Sequence, residues 1–186
     1  MPAFLRNFRL EWQLPEMRRV YERWAEKRRL VRYDARGFGL SERNITTFSL
    51  DAHVLDLAAV VGELKLRRYA LCAHLSAGPP AIAYVVAHPE RVSRLVLWNA
   101  YASGADYSEA PRAKAFRAMM EADWQAYSEA ITRFALADVE VAALFRESTT
   151  PEVLKAFLDA TRAFDVTHLL PRVRCPTLVL HDSAMA

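Results

Sequence analysis

The chain has 186 residues, of which 53% are hydrophobic and 25% are charged, and its formal net charge at pH 7 is +3. This length favours a single domain with a core of its own, and the composition excludes a disordered or collagen-like chain. No run approaches the ~18 consecutive apolar residues of a membrane span, and the first residues lack the pattern of a secretory signal. We therefore expect a cytoplasmic protein that has no membrane partner.

The positive charge is concentrated in the first 44 residues, which contain eleven Lys or Arg and six Asp or Glu. Many of these charges lie in residues 17–29, a helix-like segment in which glutamates are interleaved with arginines. Interleaved charges of both signs are typical of a solvated helix face, and the chain carries no recognised nucleic-acid-binding motif. We predict that nucleic acid is not a partner.

Two periodicities alternate along the chain. Short apolar runs, each of the length of a strand, occupy residues 30–34, 69–73, 93–98 and 177–181. Between the first two runs, Ser49 can cap a helix whose apolar residues recur with a 3.6-residue period over residues 50–64. Pro79 and Pro80 are tolerated in the first turn of a second helix, which continues to Pro89. Short apolar strands separated by helices predict an α/β fold, with a parallel sheet that carries helices on both faces.

The segment at about residues 101–170 is predicted to be an all-helical insertion between the last two strands. Residues 113–126 form one amphipathic stretch, and Thr150 followed by Pro151 has the pattern of a helix cap and first helical residue. Such an insertion can be a lid over a pocket or ordinary packing, and the sequence leaves both open.

Four blocks of the sequence resemble the α/β-hydrolase superfamily: YDARGFGLSER, FSLDAHVLDLAAVVGELKLRRYAL, AIAYVVAHPERVSRLVLWNAYASG and LLPRVRCPTLVLH. The resemblance begins at about Leu5 and is closest to bacterial hydrolase-like domains that occur joined to nucleotide-cyclase or helix-turn-helix regulator domains. It implies a truncated α/β-hydrolase fold, with residues 1–186 as one partial domain that is incomplete at both ends. One strand that the family places between the runs 30–34 and 69–73 would be missing, and a covalently attached or missing domain would be a partner.

In enzymes of this superfamily, the second apolar run leads into the nucleophile elbow, where small residues stand two positions before and two positions after the nucleophile. Here Ala73 and Ala77 bracket Leu75, and counting back from the following helix also places Leu75 in the nucleophile position. A leucine side chain has no nucleophilic atom, so covalent acyl transfer through this position is excluded. The resemblance therefore implies a degenerate nucleophile position.

An alternative frame reads the elbow as His74-x-Ser76-x-Gly78 and makes Ser76 a fallback nucleophile. This frame puts a bulky histidine in the first small position and moves the hydroxyl by one residue around the turn. Displacements near 1 Å can already cost ~10²-fold in rate, so we favour the Leu75 frame and expect Ser76 to help cap the next helix.

The resemblance leaves the rest of the catalytic triad degenerate as well. The acid position falls at Met185, Asp182 comes too early, and the catalytic histidine of the family would follow one further strand. The loop that supplies an oxyanion N–H in the family would correspond to residues 1–4. No cluster has metal-ligand spacing and no glycine-rich phosphate loop is present, so we expect neither a metal nor a cofactor.

Two functions from different classes follow from these residues. The first is a non-catalytic hydrolase-fold module, or a fragment of a longer protein, that binds a small apolar ligand or transmits a signal. The alternative is a serine hydrolase that acts on ester-like substrates through Ser76, with the histidine supplied by missing sequence.

Overall fold

The computed structural model describes residues 7–45, 47–136 and 141–181. Their elements, in chain order, are α1 (Phe8–Glu11), α2 (Pro15–Ala25), α3 (Leu50–Glu63), β1 (Tyr69–His74), α4 (Gly78–Ala87), β2 (Val92–Trp98), α5 (Gly104–Glu109), α6 (Pro111–Ala122), α7 (Trp124–Leu136), α8 (Ala142–Ser148), α9 (Pro151–Arg162) and β3 (Thr177–Leu180). Short 3₁₀ helices cover Leu75–Ala77 and Thr167–Arg172.

The described residues fall into two compact units. The sheet unit comprises residues 47–110 and 156–181, and the helical unit comprises residues 7–45, 111–136 and 141–155. The single partial domain expected from the sequence stays a prediction.

The sheet unit is built on a three-stranded parallel sheet with the order β1-β2-β3. Three of the four predicted strands are thus confirmed. Leu71 pairs with Leu95 and Leu95 pairs with Thr177, so these three side chains share one face of the sheet. Helix α4 packs on β1 and β2, and its Ile82 is buried together with the two strand leucines. The parallel sheet flanked by helices is the predicted fold class.

Helix α3 begins where the sequence predicts. The Ser49 hydroxyl accepts a hydrogen bond from the N–H of Ala52 at 3.2 Å, as an N-cap residue does. Leu57 and Val61, one turn apart, are buried, which is the outcome expected for the apolar stripe of a 3.6-residue period.

The predicted strand at residues 30–34 was wrong. This segment belongs to the helical unit, and only Tyr33 within it forms a single-residue bridge. An apolar run becomes a strand only where a neighbouring strand accepts its backbone hydrogen bonds, and the described sheet does not include this run. A side chain also helps to hold the segment, because the Asp34 carboxylate accepts hydrogen bonds from the N–H groups of Phe8 at 2.7 Å and Leu40 at 2.9 Å.

The described residues between β2 and β3 that form regular elements are helical. The predicted amphipathic helix over residues 113–126 is interrupted, since α6 ends at Ala122 and α7 begins at Trp124. Asp123 causes the break by accepting a hydrogen bond from the N–H of Ala126 at 2.9 Å, the geometry of an N-cap for α7. Within the described part of the chain, every helix is too short or too polar to span a membrane.

Two glycines of the sheet unit should respond in opposite ways to an added methyl group. A Cβ on Gly104 would lie 1.9 Å from the backbone oxygen of Thr161, whereas a Cβ on Gly62 in α3 would meet nothing within 4 Å. We expect Gly104→Ala to lower the free energy of unfolding by about 3 kcal/mol because backbone must move apart. We expect Gly62→Ala to raise it by about 0.5–1 kcal/mol through helix propensity. Urea unfolding followed by circular dichroism measures both, and equal effects would contradict the packing described.

Candidate functional site

The turn from β1 into α4 contains a strained residue. Strand β1 ends at His74, and Leu75 follows with a φ of 48° before α4 begins at Gly78. A left-handed backbone costs a residue with a Cβ atom about 1–2 kcal/mol. A sharp, strained strand-to-helix turn is the geometry on which α/β hydrolases mount their nucleophile. Residue 75 is the strained residue of this turn, and Ser76 has no positive φ.

The small residues of the turn are in close contact with the next strand and with the core. Ala73 is 1% exposed, which satisfies the first small position of the Leu75 frame. A Cβ on Gly78 would lie 2.8 Å from the Ala100 Cβ and 2.9 Å from the Tyr101 oxygen, which suits the last small position of the Ser76 frame. The packing thus gives each frame one supporting observation, and the backbone strain favours Leu75.

The expectation that Ser76 caps α4 was wrong. The N-cap position is Ala77, and no side chain caps the helix there. Pro79, near the start of α4, explains why a cap is dispensable, because proline has no N–H that needs an acceptor. The Ser76 side chain is half-buried, as are those of His74, Leu75 and Ala77.

The second strand ends in a turn that the sequence analysis did not single out. Asn99 follows β2 with a φ of 47°, and its N–H donates to the Leu180 oxygen at 2.8 Å. The pairing of His74 with Trp98 and of Trp98 with Leu180 places Leu75, Asn99 and His181 in one row along the carboxyl edge of the sheet. An asparagine directly after an apolar run was the available signal, because asparagine tolerates the left-handed conformation.

Aromatic rings stand beside this row. The His74 and Trp98 rings meet edge to face with centroids 5.4 Å apart, and the Tyr101 and Tyr107 rings stack at 4.6 Å. We call His74, Leu75, Trp98, Asn99 and Tyr101 the elbow surface. Open α/β sheets bind ligands at the carboxyl ends of their strands, so this surface is the candidate site.

The other histidines lie in ordinary structural surroundings. His53 packs among the rings of Phe48, Phe157 and Phe164, and His88 ends α4 against Tyr84 with centroids 4.5 Å apart. His168 lies in the 3₁₀ helix Thr167–Arg172 and is exposed. Met185, predicted for the acid position, lies outside the described residues, as do Asp182 and residues 1–4.

Cysteine is another nucleophilic residue type among the described residues. Cys72 and Cys175 are free thiols and half-buried. Burial raises the pKa of the Cys72 thiol, which keeps it in the unreactive protonated form at neutral pH. Among the described residues, no three His, Cys, Asp or Glu side chains are grouped as a metal site requires.

The chain is similar to two curated proteins named "Putative carbamate hydrolase RutD". It is 25% identical over 181 residues to the one from Caulobacter sp. (strain K31), covering 89% of this chain and 65% of that protein. It is 32% identical over 89 residues to the one from Caulobacter segnis, covering 47% of this chain and 32% of that protein. The chain therefore spans less than two thirds of the length of either relative.

Solved structures of hydrolases have the same fold. A hydrolase from Pseudomonas aeruginosa PA01 superposes with a TM-score of 0.73 at 23% identity, over 100% of this chain and 72% of that one. The enol-lactonase from Burkholderia xenovorans LB400 superposes with a TM-score of 0.71 at 22% identity, over 96% of this chain and 69% of that one. At these identities the likeness concerns the fold.

The sequence profile described as alpha/beta hydrolase fold matches residues 14–179. The match covers most of the chain and includes the strained turn, β1 and β2 and the first three residues of β3. This chain belongs to the α/β-hydrolase fold family.

Proposed function

We propose that this chain is a non-catalytic α/β-hydrolase-fold module that binds a small apolar ligand at the elbow surface. The observation that carries the proposal is Leu75 at the strained position of the strand-to-helix turn, with a φ of 48°. The position that presents a nucleophile in active relatives then presents four aliphatic carbons, and no acyl-enzyme can form there.

The chemistry of the elbow surface supports a ligand that is largely apolar. Leucine and the rings of Trp98 and Tyr101 provide apolar contacts, and the side chains of His74 and Asn99 add polar groups that can orient a carbonyl. Ligand sites commonly combine a mostly apolar lining with a few convergent polar groups. An acyl-like molecule without a strong charge fits this combination best.

Signalling through a covalently attached domain belongs to the same proposal, as does a cytoplasmic location. A module that has lost its nucleophile keeps a ligand-dependent surface, and a joined nucleotide-cyclase or helix-turn-helix domain could respond to its occupancy. The hydrolase fold alone does not identify the ligand.

The second candidate is a serine hydrolase that uses Ser76 on ester-like substrates. Two observations favour it: the close approach at Gly78 that the Ser76 frame requires, and the hydrolase names of the relatives. Against it stands the unstrained backbone of Ser76, which presents the hydroxyl in a different direction from residue 75.

The strain at residue 75 can be measured by comparing alanine and glycine at the same position. Both substitutions remove the leucine side chain, but only glycine relieves the left-handed backbone. We expect Leu75→Gly to be about 1 kcal/mol more stable than Leu75→Ala. At Leu55, 66% exposed on α3, the order should reverse because a helix favours alanine.

Urea unfolding of these four variants gives the comparison. The same exchange at Ser76 should favour alanine, since its φ is not positive. If the glycine variant were the more stable one at residue 76 and not at residue 75, the strained position would be the serine. That result would contradict the Leu75 frame.

Covalent labelling tests whether the chain has a reactive serine. A fluorophosphonate probe labels only activated hydroxyls, so we expect no adduct on the wild-type chain, with Ser76→Ala as the matched control. Leu75→Ser should hydrolyse p-nitrophenyl acetate no faster than wild type, because a serine without its base and acid gains little. Mass spectrometry locates any adduct. An adduct on Ser76 of the wild type would establish the hydrolase, and turnover by Leu75→Ser would show that acid and base partners exist.

Ligand binding at the elbow surface is tested with octanamide, an uncharged acyl chain that cannot be hydrolysed readily. We expect saturable shifts of the Trp98 indole signal in NMR titrations. Leu75→Asp should weaken binding about tenfold, because a desolvated carboxylate replaces an apolar contact. Leu55→Asp, on the exposed side of α3, should leave the affinity unchanged. Equal affinities of wild type and Leu75→Asp would contradict the proposed ligand site.

A further inference from the structure

Glu11, Tyr21 and Arg32 form a buried cluster in the helical unit. None of them belongs to the elbow surface. The Glu11 and Tyr21 side chains have no exposed surface, and the Tyr21 hydroxyl donates to Glu11 Oε2 at 2.6 Å. The Arg32 guanidinium pairs with the same carboxylate oxygen and lies 3.5 Å from the centroid of the Tyr21 ring. Burial raises the pKa of Tyr21, so its hydroxyl keeps its proton and remains a donor to Glu11.

The hydrogen bonding of Arg32 is incomplete. Its side chain is only 8% exposed, and its Nε is buried with no hydrogen-bond partner. A guanidinium carries five N–H donors and no acceptor, so this N–H can be satisfied only by an incoming oxygen or nitrogen. Buried donors without partners are uncommon and destabilising, and an unmatched one calls for an explanation.

A cavity of about 310 Å³ that is widely open to solvent adjoins this cluster. It is lined by Phe8, Trp12, Tyr21, Ala25, Leu30 and Arg32. Phe8 and Trp12 are 37% and 44% exposed, so both side chains are accessible to an incoming molecule, and the Arg18 guanidinium lies 5.8 Å from the centroid of the Trp12 ring. Arg18 holds the segment of Trp12 in place, since its Nε donates to the Trp12 oxygen at 2.9 Å.

We propose that this cavity binds a small, uncharged aromatic compound that carries a carbonyl oxygen. The rings of Phe8 and Trp12 supply an apolar lining for the aromatic part, and Arg32 supplies a donor for the carbonyl. Nε is closed to solvent, so the proposal requires the Arg32 side chain to turn before this N–H can meet the carbonyl oxygen. The volume stands at the lower end of the ~300–1,000 Å³ typical of ligand sites, which suits a molecule of one or two rings.

Glu11 explains why the ligand is uncharged. Its carboxylate already pairs with the Arg32 guanidinium, so the buried cluster carries no excess positive charge to attract a second anion. A carboxylate ligand would place two negative charges on one guanidinium in a poorly solvated site. A ketone, amide or lactone oxygen accepts the hydrogen bond without that repulsion.

Coumarin, a two-ring aromatic lactone, is the probe for this site, and coumarin-3-carboxylate is its charged counterpart. The full chain labelled with ¹⁵N is titrated with each compound, and the Nε–H signal of Arg32 is assigned by its loss in Arg32→Lys. Lysine keeps the positive charge opposite Glu11 and lacks the Nε donor. We expect coumarin to shift this signal saturably and to bind more tightly than the carboxylate.

Three variants locate the site. Trp12→Ala and Arg32→Lys should each weaken coumarin binding about fivefold or more, as the loss of one ring or one hydrogen bond does. Phe134→Ala removes a ring that is also 37% exposed but does not line the cavity, and should leave the affinity unchanged. If Arg32→Lys fails to fold by circular dichroism, Trp12→Ala at the exposed rim still decides the question. Unsaturable shifts, unchanged affinity in Trp12→Ala, or a preference for coumarin-3-carboxylate would each overturn the proposal.

Discussion

The close approach of α4 to the segment after β2 is the constraint on which the sheet unit depends. Gly78 opens α4 against the Cβ of Ala100 and the backbone oxygen of Tyr101, with no space for a side chain between them. The helix must therefore start soon after the end of its strand, and only three residues, Leu75–Ala77, separate β1 from α4. So short a connection forces a sharp reversal of the chain, and the reversal is concentrated at Leu75.

A strained residue persists only when its surroundings determine it, and here the surroundings are the core of the sheet unit. Ile82, Tyr84 and Val85 of α4 are at most 1% exposed, and Ala73 just before the turn is equally buried. Relaxing residue 75 would shift α4 and open this packing, which costs more than a left-handed leucine. The strained geometry therefore does not depend on a catalytic hydroxyl. It is a property of the scaffold, and a side chain of different chemistry can occupy the position while the fold stays intact.

Local sequence patterns predicted helix α3 and the three strands of the described sheet. Strands β1 and β2 and helix α3 follow one another within residues 50–98, and their apolar periods are long enough to define them. The run at residues 30–34 has a strand's composition, but composition cannot supply the partner strand that a ladder needs. The break at Asp123 and the turn at Asn99 depend on single capping or left-handed residues, which an apolar period does not detect. The candidate elbow came from a motif, which favoured Leu75 over the adjacent Ser76. The strain at residue 75 is a backbone angle, which only coordinates provide.

The cluster of Glu11, Tyr21 and Arg32 escaped the sequence analysis for a related reason. Glu11 and Arg32 are 21 residues apart, a separation that no helix or strand period in the sequence connects. Burial distinguishes Glu11 and Arg32 from charged residues on the surface. A desolvated carboxylate needs hydrogen-bond donors, and a desolvated guanidinium needs acceptors. One carboxylate oxygen satisfies two donors here, which leaves the guanidinium with an N–H to spare. The apolar pattern of the sequence therefore locates the core of this chain. A candidate ligand site is found differently, by asking which buried polar groups lack a hydrogen-bond partner that a ligand would provide.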